Sequence, residues 1–216
     1  MKPFPVILSS PSGAGKTSLA KQLLELRPDT GYSVSCTTRA PRAGEEEGRD
    51  YYFMSVADFE AARSRGAFAE SANVHGNMYG TLRSEIERVL GSARHVVMDI
   101  DVQGAKQLAS AFPQSVLIFI LPPSAEVLLG RLKGRGSEDD ARLKRRLGSA
   151  ITELGAVNDY HYVVVNDDLD RATTTLSSIL DGEAVRTQRL DGLDRMVGEI
   201  SRGISEELEL ISKRTV

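Results

Sequence analysis

Apolar positions along the chain follow two alternating rhythms. Phe4-Pro5-Val6-Ile7-Leu8-Ser9 is a short, nearly continuous apolar run and reads as a buried strand, with proline tolerated at its start. From Lys16 onward Leu19, Leu23 and Leu26 recur at helical spacing. Arg27-Pro28-Asp29 stops that helix, because a proline ring keeps the residue before it out of the helical region. His95 to Ile100 and Ser115 to Leu121 are further apolar runs, each followed by a helical pattern, and Tyr162 to Val165 is another. Leu169, Ala172, Leu176 and Ile179 then mark a helix that should pack on the sheet. Buried β runs alternating with helices predict an α/β fold, a largely parallel sheet flanked by helices, in which ligands bind at the carboxyl ends of strands.

Two stretches break the alternation. Between Ser35 and about Gly91 the chain is polar and rich in Tyr, Arg and Gly, with Tyr51-Tyr52-Phe53-Met54 as its only clear strand, which predicts a small satellite domain. Between Ser124 and about Ala156 the pattern is helical but charged. Ser124 can cap the first helix there, and Leu128, Leu132, Leu143, Leu147, Ile151 and Leu154 supply apolar contacts. Seven bases stand against three acids from Arg131 to Arg146, so this segment can close over a polyphosphate. The expected divisions are a discontinuous core of residues 1–34, 92–123 and 157–181, an insert at 35–91, a lid at 124–156 and a helical tail at 182–216. In the tail Leu190, Leu193, Val197, Ile200, Ile204, Leu208 and Ile211 step by three or four, a stripe that Gly192, Gly198 and Gly203 weaken. It can pair with a second subunit, pack back on the core or remain a loose helix.

Composition narrows the function. With 216 residues, 41% apolar and 26% charged, the chain has the make-up of one elaborated globular domain. Thirty acids against 27 bases leave a net charge of −3, so the surface as a whole offers no basic face to nucleic acid or an anionic membrane. The six-residue run Val116 to Leu121 is far short of the ~20 residues that span a bilayer. Met1-Lys2-Pro3-Phe4-Pro5 lacks the sections of a secretory leader, and the single Cys36 has no internal disulfide partner, so a cytoplasmic location is expected.

The candidate chemistry begins at Ser9-Ser10-Pro11-Ser12-Gly13-Ala14-Gly15-Lys16-Thr17, between the first strand and the first helix, where a Walker A loop has physical meaning. Gly13 and Gly15 permit tight turns, so successive N–H groups from Ser12, Gly13, Ala14 and Gly15 through Ser18 can surround an anion at the helix N-terminus. Lys16 would neutralise β- and γ-phosphate oxygens, and the Thr17 hydroxyl would coordinate magnesium. Ser10 stands where the pattern has its first glycine. Asp99 and Asp101, alternate residues ending a strand run, offer carboxylates for magnesium, or else a helix cap and a solvated strand end. Ser35-Cys36-Thr37-Thr38-Arg39-Ala40-Pro41-Arg42 sets two guanidiniums three residues apart in a stiffened loop, suited to a phosphate or simply solvated. His75 and His95 read as structural or surface residues, since no second ligand stands at metal spacing.

Taken in order, PSGAGK, SVSCTTRAPRAGE, DYYF, GNMYGT, DIDVQG, ILPPS, GRG and VNDDLD resemble the guanylate kinase family over about Val6 to Leu180. The resemblance implies a P-loop kinase that transfers phosphate from MgATP to GMP, with a GMP-binding insert and a mobile lid. It further implies that Arg39, Arg42, Tyr51 and Tyr79 bind the GMP phosphate, with Gly80 in the same motif. Ser35, Glu70, Thr81 and one or both of Asp99 and Asp101 would surround guanine. Arg135 and Arg146 would act on the transferring group with Lys16, assisted by Arg131, and Asn166 would lie on the ATP side. A carboxylate at Glu70 accepts from guanine N1–H and its 2-amino group, whereas adenine leaves it unpaired. No assigned group reads the 2′-hydroxyl, so dGMP is an expected acceptor. Met78 and Cys36 stand where the family commonly has tyrosine and serine, and His161 where aspartate is expected. Two other readings fit parts of the pattern. A guanylate-kinase-like protein-binding module would typically lose parts of the phosphate loop, and a P-loop kinase for a ribose bisphosphate would not need Glu70 and Thr81 together.

Overall fold

The computed structural model describes residues 2–74, 76–92, 94–133 and 140–214. Two compact units divide it, one of Pro3–Ile179 and one of residues 1–2 with 180–216. The larger unit is built on β1 (Pro5–Ser9), β2 (Thr30–Tyr32), β7 (His95–Asp99), β8 (Val116–Leu121) and β9 (Tyr162–Val165), hydrogen-bonded in the order β2-β7-β1-β8-β9. Every pairing is parallel, with Ile7 opposite Met98 on one side of β1 and Leu117 on the other. The central strands are apolar throughout because both faces are covered: Val6, Ile7, Leu8, Val96, Val97 and Ile118 are all fully buried.

Helices α1 (Lys16–Leu26), α4 (Val102–Ala111) and α7 (Leu169–Ala184) follow β1, β7 and β9, giving the strand-then-helix order that the apolar rhythm predicts. One layer of core joins Ile7, Val96, Met98 and Leu117 to Ala105 and Leu108 of α4 and to Ile86 and Val89 of α3 (Arg83–Gly91). The apolar face of α3 therefore serves the parallel sheet. His95 is structural, as expected: its Nδ1 accepts from the Phe4 N–H at 3.2 Å and its ring sits 4.0 Å from that of Phe4. His161 is likewise tied to β8, accepting from the Leu117 N–H at 3.2 Å.

The insert differs from expectation. Beside the expected strand at 51–54, seen as β4 (Tyr52–Phe53), it carries three more, β3 (Cys36–Thr37), β5 (Phe68–Val74) and β6 (Asn77–Leu82), in a second sheet of order β4-β3-β6-β5. Helix α2 (Val56–Ser64) covers it through Phe59 and Ala62, capped by Ser55, whose Oγ accepts from the Asp58 N–H at 3.0 Å. The two long strands escape a pattern search because their sequences, FAESANV and NMYGTL, do not alternate. Polar residues occupy positions that a sheet core would give to apolar ones.

In the lid, α5 (Ala125–Lys133) packs Leu128 and Leu132 against Leu143, Leu147 and Ala150 of α6 (Asp140–Leu154). Ser124 caps α5 as expected, accepting from the Val127 N–H at 3.2 Å. In the smaller unit, α8 (Leu193–Arg214) runs 22 residues with no side chain buried.

Candidate functional site

The turn from β1 into α1 holds two glycines at φ +91°, Gly13 and Gly15, a left-handed conformation that side-chain-bearing residues rarely adopt. A Cβ at Gly15 would also stand 2.4 Å from the Asn166 amide nitrogen. Helix α1 has no side-chain cap, so its first-turn N–H groups can face an anion, while in the loop the Ala14 N–H donates to the Pro11 carbonyl at 3.1 Å and the Ser12 N–H to Glu153. Lys16 reaches across the sheet end and donates to the Ile100 carbonyl at 2.9 Å, while Ser18 lies exposed on the first turn of α1. Asn166, expected on the ATP side, is buried and donates to the Ala14 carbonyl at 2.8 Å, so its amide nitrogen braces the phosphate loop. Arg131 donates to the same carbonyl at 3.2 Å.

The two acids that the sequence leaves undivided take different parts. Asp99 accepts from Thr17 Oγ1 at 2.8 Å on one oxygen and from the Tyr32 hydroxyl at 2.6 Å on the other. Asp101 caps α4, accepting from the N–H groups of Gln103 and Gly104 at 2.8 Å each. A hydroxyl beside a carboxylate is an oxygen donor set suited to magnesium. Among the described residues no group of three or more His, Cys, Asp or Glu is placed to hold a metal ion. An ion at Thr17 and Asp99 would therefore need phosphate and water to complete its shell.

Beyond Asp99 a cavity of about 140 Å³ is lined by Ser35, Tyr51, Glu70, Val74, Tyr79, Asp99, Ile100 and Asp101. Glu70, on β5, faces Thr81 directly across the antiparallel ladder, just past a register shift after Phe68. The Thr81 hydroxyl donates to Glu70 Oε1 at 2.7 Å. Thr81 is itself wholly buried, with its hydroxyl held to the carboxylate. Burial pushes the Glu70 carboxyl up to about 7 against the pull of that hydrogen bond, and the nearby negative charge of Asp101 adds to the rise. Gly104 makes the placement possible, since a Cβ there would lie 2.5 Å from Glu70 Oε2. Gly80 is confined by the same sheet: its Cβ would meet the Phe68 ring at 2.9 Å and the Glu70 carbonyl at 3.0 Å.

One rim of the cavity is cationic. Arg39 lies 5.3 Å from the centre of the Tyr51 ring and donates from Nε to the Tyr79 hydroxyl at 3.3 Å. Its Nη2 is held by Glu45 at 2.8 Å, and the same carboxylate accepts from the Arg42 N–H at 2.8 Å. That pairing raises Arg39 above the usual arginine range and lowers Glu45. Burial pushes the Tyr51 phenol up to about 12, so at neutral pH it is a donor. Arg42 is exposed beside this group and does not line the cavity. Across the phosphate loop, buried Arg146 donates to Ser12 Oγ at 3.2 Å. Arg135 and His75 lie outside the described residues.

Tyr32 and Gly104 belong to the site and carried no signal of their own. Tyr32 sits on a three-residue strand just after a helix stop, and the constraint on Gly104 is a contact with a residue 34 positions away.

A family profile described as Guanylate kinase matches residues 2–183. The guanylate kinase of Nitrosomonas europaea is 45% identical over 183 residues, covering 85% of this chain and 91% of that protein. That of Rhizobium meliloti is 45% identical over 193 residues, covering 89% and 88%. Among solved structures, guanylate kinase from Anaplasma phagocytophilum superposes with a TM-score of 0.76 at 35% identity, over 91% of this chain and 94% of that one.

Proposed function

The chain belongs to the guanylate kinase family, and from that premise we infer that it transfers the γ-phosphoryl group of MgATP to GMP, and to dGMP, giving ADP and the nucleoside diphosphate. The buried Glu70–Thr81 pair carries this reading. A carboxylate held in a cavity beside Asp101 matches a base that presents adjacent N–H donors, and an acceptor at that place on the base, as in adenine, would repel it. A sugar phosphate offers no such donor edge, and a non-catalytic binding module would not need Lys16 and Thr17 at the start of α1 brought against Ile100 and Asp99 at the end of β7.

An oxygen of the GMP phosphate attacks the γ-phosphorus in line, and ADP leaves. The attacking oxygen is already anionic, so positioning and charge neutralisation take the place of a general base. Arg39, Tyr51 and Tyr79, with Arg42 at the rim, hold the GMP phosphate, which displaces Glu45 from the Arg39 fork. Ser35 and Asp101 complete the base pocket. Lys16 and the N–H groups at the start of α1 hold the ATP phosphates, and Arg146, with Arg135 from the lid, meets the transferring group. Magnesium bound with ATP would offset the charge of the phosphates; Thr17 and Asp99 are the residues that would hold it. Closure of the lid excludes water and so suppresses ATP hydrolysis. No helix among the described residues is long and apolar enough to cross a membrane, and the buried free Cys36 accords with action in a reducing cytoplasm.

Calorimetric titration tests the base pocket. Wild-type chain binds GMP and not AMP at the same concentrations, and equal affinities would contradict the reading. Gly104→Ala improves local helix propensity yet drives its Cβ into the Glu70 carboxylate. The expected result is GMP affinity weakened about tenfold or more, the equivalent of ~1.4 kcal/mol, with no fall in Tm.

Helix α8 is proposed to pair with a second copy of the chain. Val197, Ile200, Ile204 and Leu208 are each more than half exposed, and the stability of a helix comes mostly from packing its apolar face. Asp194, Glu199, Glu206, Glu207 and Glu209 against Arg195, Arg202, Lys213 and Arg214 leave no basic excess to favour an anionic membrane. A stripe stepping by three and four is complementary to itself. Light scattering should show a dimer for the wild type and a monomer for Ile204→Glu; a monomeric wild type would contradict the pairing.

A further inference from the structure

The tip of the phosphate loop is gripped twice by one helix. Ser12 donates its backbone N–H to Glu153 Oε2 at 3.1 Å and accepts, on Oγ, from Arg146 Nη2 at 3.2 Å. The two α6 residues are seven apart, two turns on one face of the helix. Beside them the apolar seam of Leu143, Leu147 and Ala150 packs on Leu128 and Leu132 of α5. A Cβ at Gly13 would come within 3.2 Å of Leu132, so α5 lies directly against the loop. Without Glu153 the hairpin would keep its apolar contact but lose the bond that sets how far α6 reaches along the loop. Helix α6 ends at Leu154, so Glu153 holds its final turn.

We propose that Glu153 is a positioning residue for phosphoryl transfer, its carboxylate pinning α6 to the Ser12 N–H so that Arg146 meets the transferring group. This rests on the kinase reading above. Glu153 takes no part in bond making: it accepts one N–H and moves no proton. Its carboxyl is raised above the ordinary carboxylate range by burial, partly offset by the Ser12 hydrogen bond and the positive charge of Lys16. The environment thus favours an acceptor over a free charge, and an uncharged acceptor should serve.

The experiment compares Glu153→Ala and Glu153→Gln, each alone and with Arg146→Ala, by steady-state kinetics with MgATP and GMP. Amide exchange in the peptide spanning Ser12 is read on the same proteins. A displacement of about 1 Å near reacting groups can lower a rate by ~10²-fold. Glu153→Ala is therefore expected to lower kcat between about 10- and 100-fold with KM for GMP unchanged, and to speed exchange at Ser12. Glu153→Gln, whose amide oxygen accepts the same N–H, restores kcat to within about threefold of wild type and restores protection. On the Arg146→Ala background, Glu153→Ala lowers kcat by less than about threefold more, because the two act as one unit. Unchanged kcat in Glu153→Ala overturns the proposal, as do multiplicative effects of the two alanines. So does a Glu153→Gln variant with tightened ATP binding and raised kcat, which would make the carboxylate a competitor of phosphate. A wild-type chain inactive with GMP would instead overturn the kinase reading itself, and the exchange arm would still report whether Glu153 pins the loop.

Discussion

Lys16→Ala is expected to lower kcat with MgATP and GMP by about 10³-fold while GMP affinity stays within about threefold of wild type. Removing one preorganised group that faces developing charge typically lowers kcat by ~10²–10³, and Lys16 sits at the meeting point of the loop, the end of β7 and the cavity. Its ammonium already donates to the Ile100 carbonyl at 2.9 Å, one residue from Asp99 and one from Asp101. Lys16 does not line the base pocket, so a variant that keeps Glu70 should still bind GMP. Single-turnover kinetics beside equilibrium titration separates the two quantities. A Lys16→Ala chain with kcat within tenfold of wild type would show that the loop does not hold the transferred phosphate.

The second large effect is at Glu70. Glu70→Ala leaves the base edge and the Thr81 hydroxyl without their acceptor, and hydrogen-bond readout of this kind can separate substrates by ~10⁴-fold. The expected outcome is a kcat/KM ratio of GMP to AMP that collapses from about 10⁴ to under about 10, through loss of GMP activity and not through gain of AMP activity. A retained preference for GMP would move the specificity elsewhere. The same residue sets a pH dependence. Its carboxyl stands at about 7 in the ligand-free fold against 4.5 in an unfolded chain, so between those values the folded state binds the extra proton. Stability contributed by Glu70 is therefore full below about 4.5 and falls as pH rises through 7. At about 1.4 kcal/mol per pH unit the difference is of order 3 kcal/mol. Glu70→Gln should accordingly melt higher than wild type at pH near 8 while binding GMP more weakly. GMP affinity of the wild type should rise with pH through 7, as the carboxylate that accepts two N–H groups forms.

How much of this was legible depended on what each residue answers to. Val6 to Leu8, Val96 to Met98 and Val116 to Ile120 answer to burial on both faces of a parallel sheet, so their apolar runs mark strands without ambiguity. Residues 68–82 answer to a cavity. Glu70, Tyr79, Gly80 and Thr81 stand where they do because a carboxylate has to be held and a backbone has to pass close, and that erases the alternation by which strands are recognised. Strand β3, two residues long, is too short to carry any period, while β4 lies inside the run legible at 51–54.

The site followed the same division. Spacing alone marks Gly13, Gly15, Lys16 and Thr17, because the loop is local in sequence. The family resemblance names Glu70 and Thr81 together, and the fold shows that the two are hydrogen-bonded to each other. Asn166 fits a turn after a strand equally well on either side, and only its 2.8 Å bond to Ala14 assigns it to the loop. Asp99 and Asp101 share a strand face in any extended backbone, and the start of α4 at Val102 is what turns Asp101 into a cap. Glu153 looked like one more charge on an amphipathic helix, since its partner is a backbone N–H 141 residues away.

The most direct measurement is ADP release from MgATP with GMP, dGMP, AMP, UMP and CMP as acceptors, run on the full chain beside Lys16→Ala. Turnover with GMP and dGMP alone, lost in Lys16→Ala, is the predicted result. GMP binding without turnover would contradict the kinase reading and favour a binding module. Turnover with a different acceptor would contradict the roles given to Glu70 and Thr81.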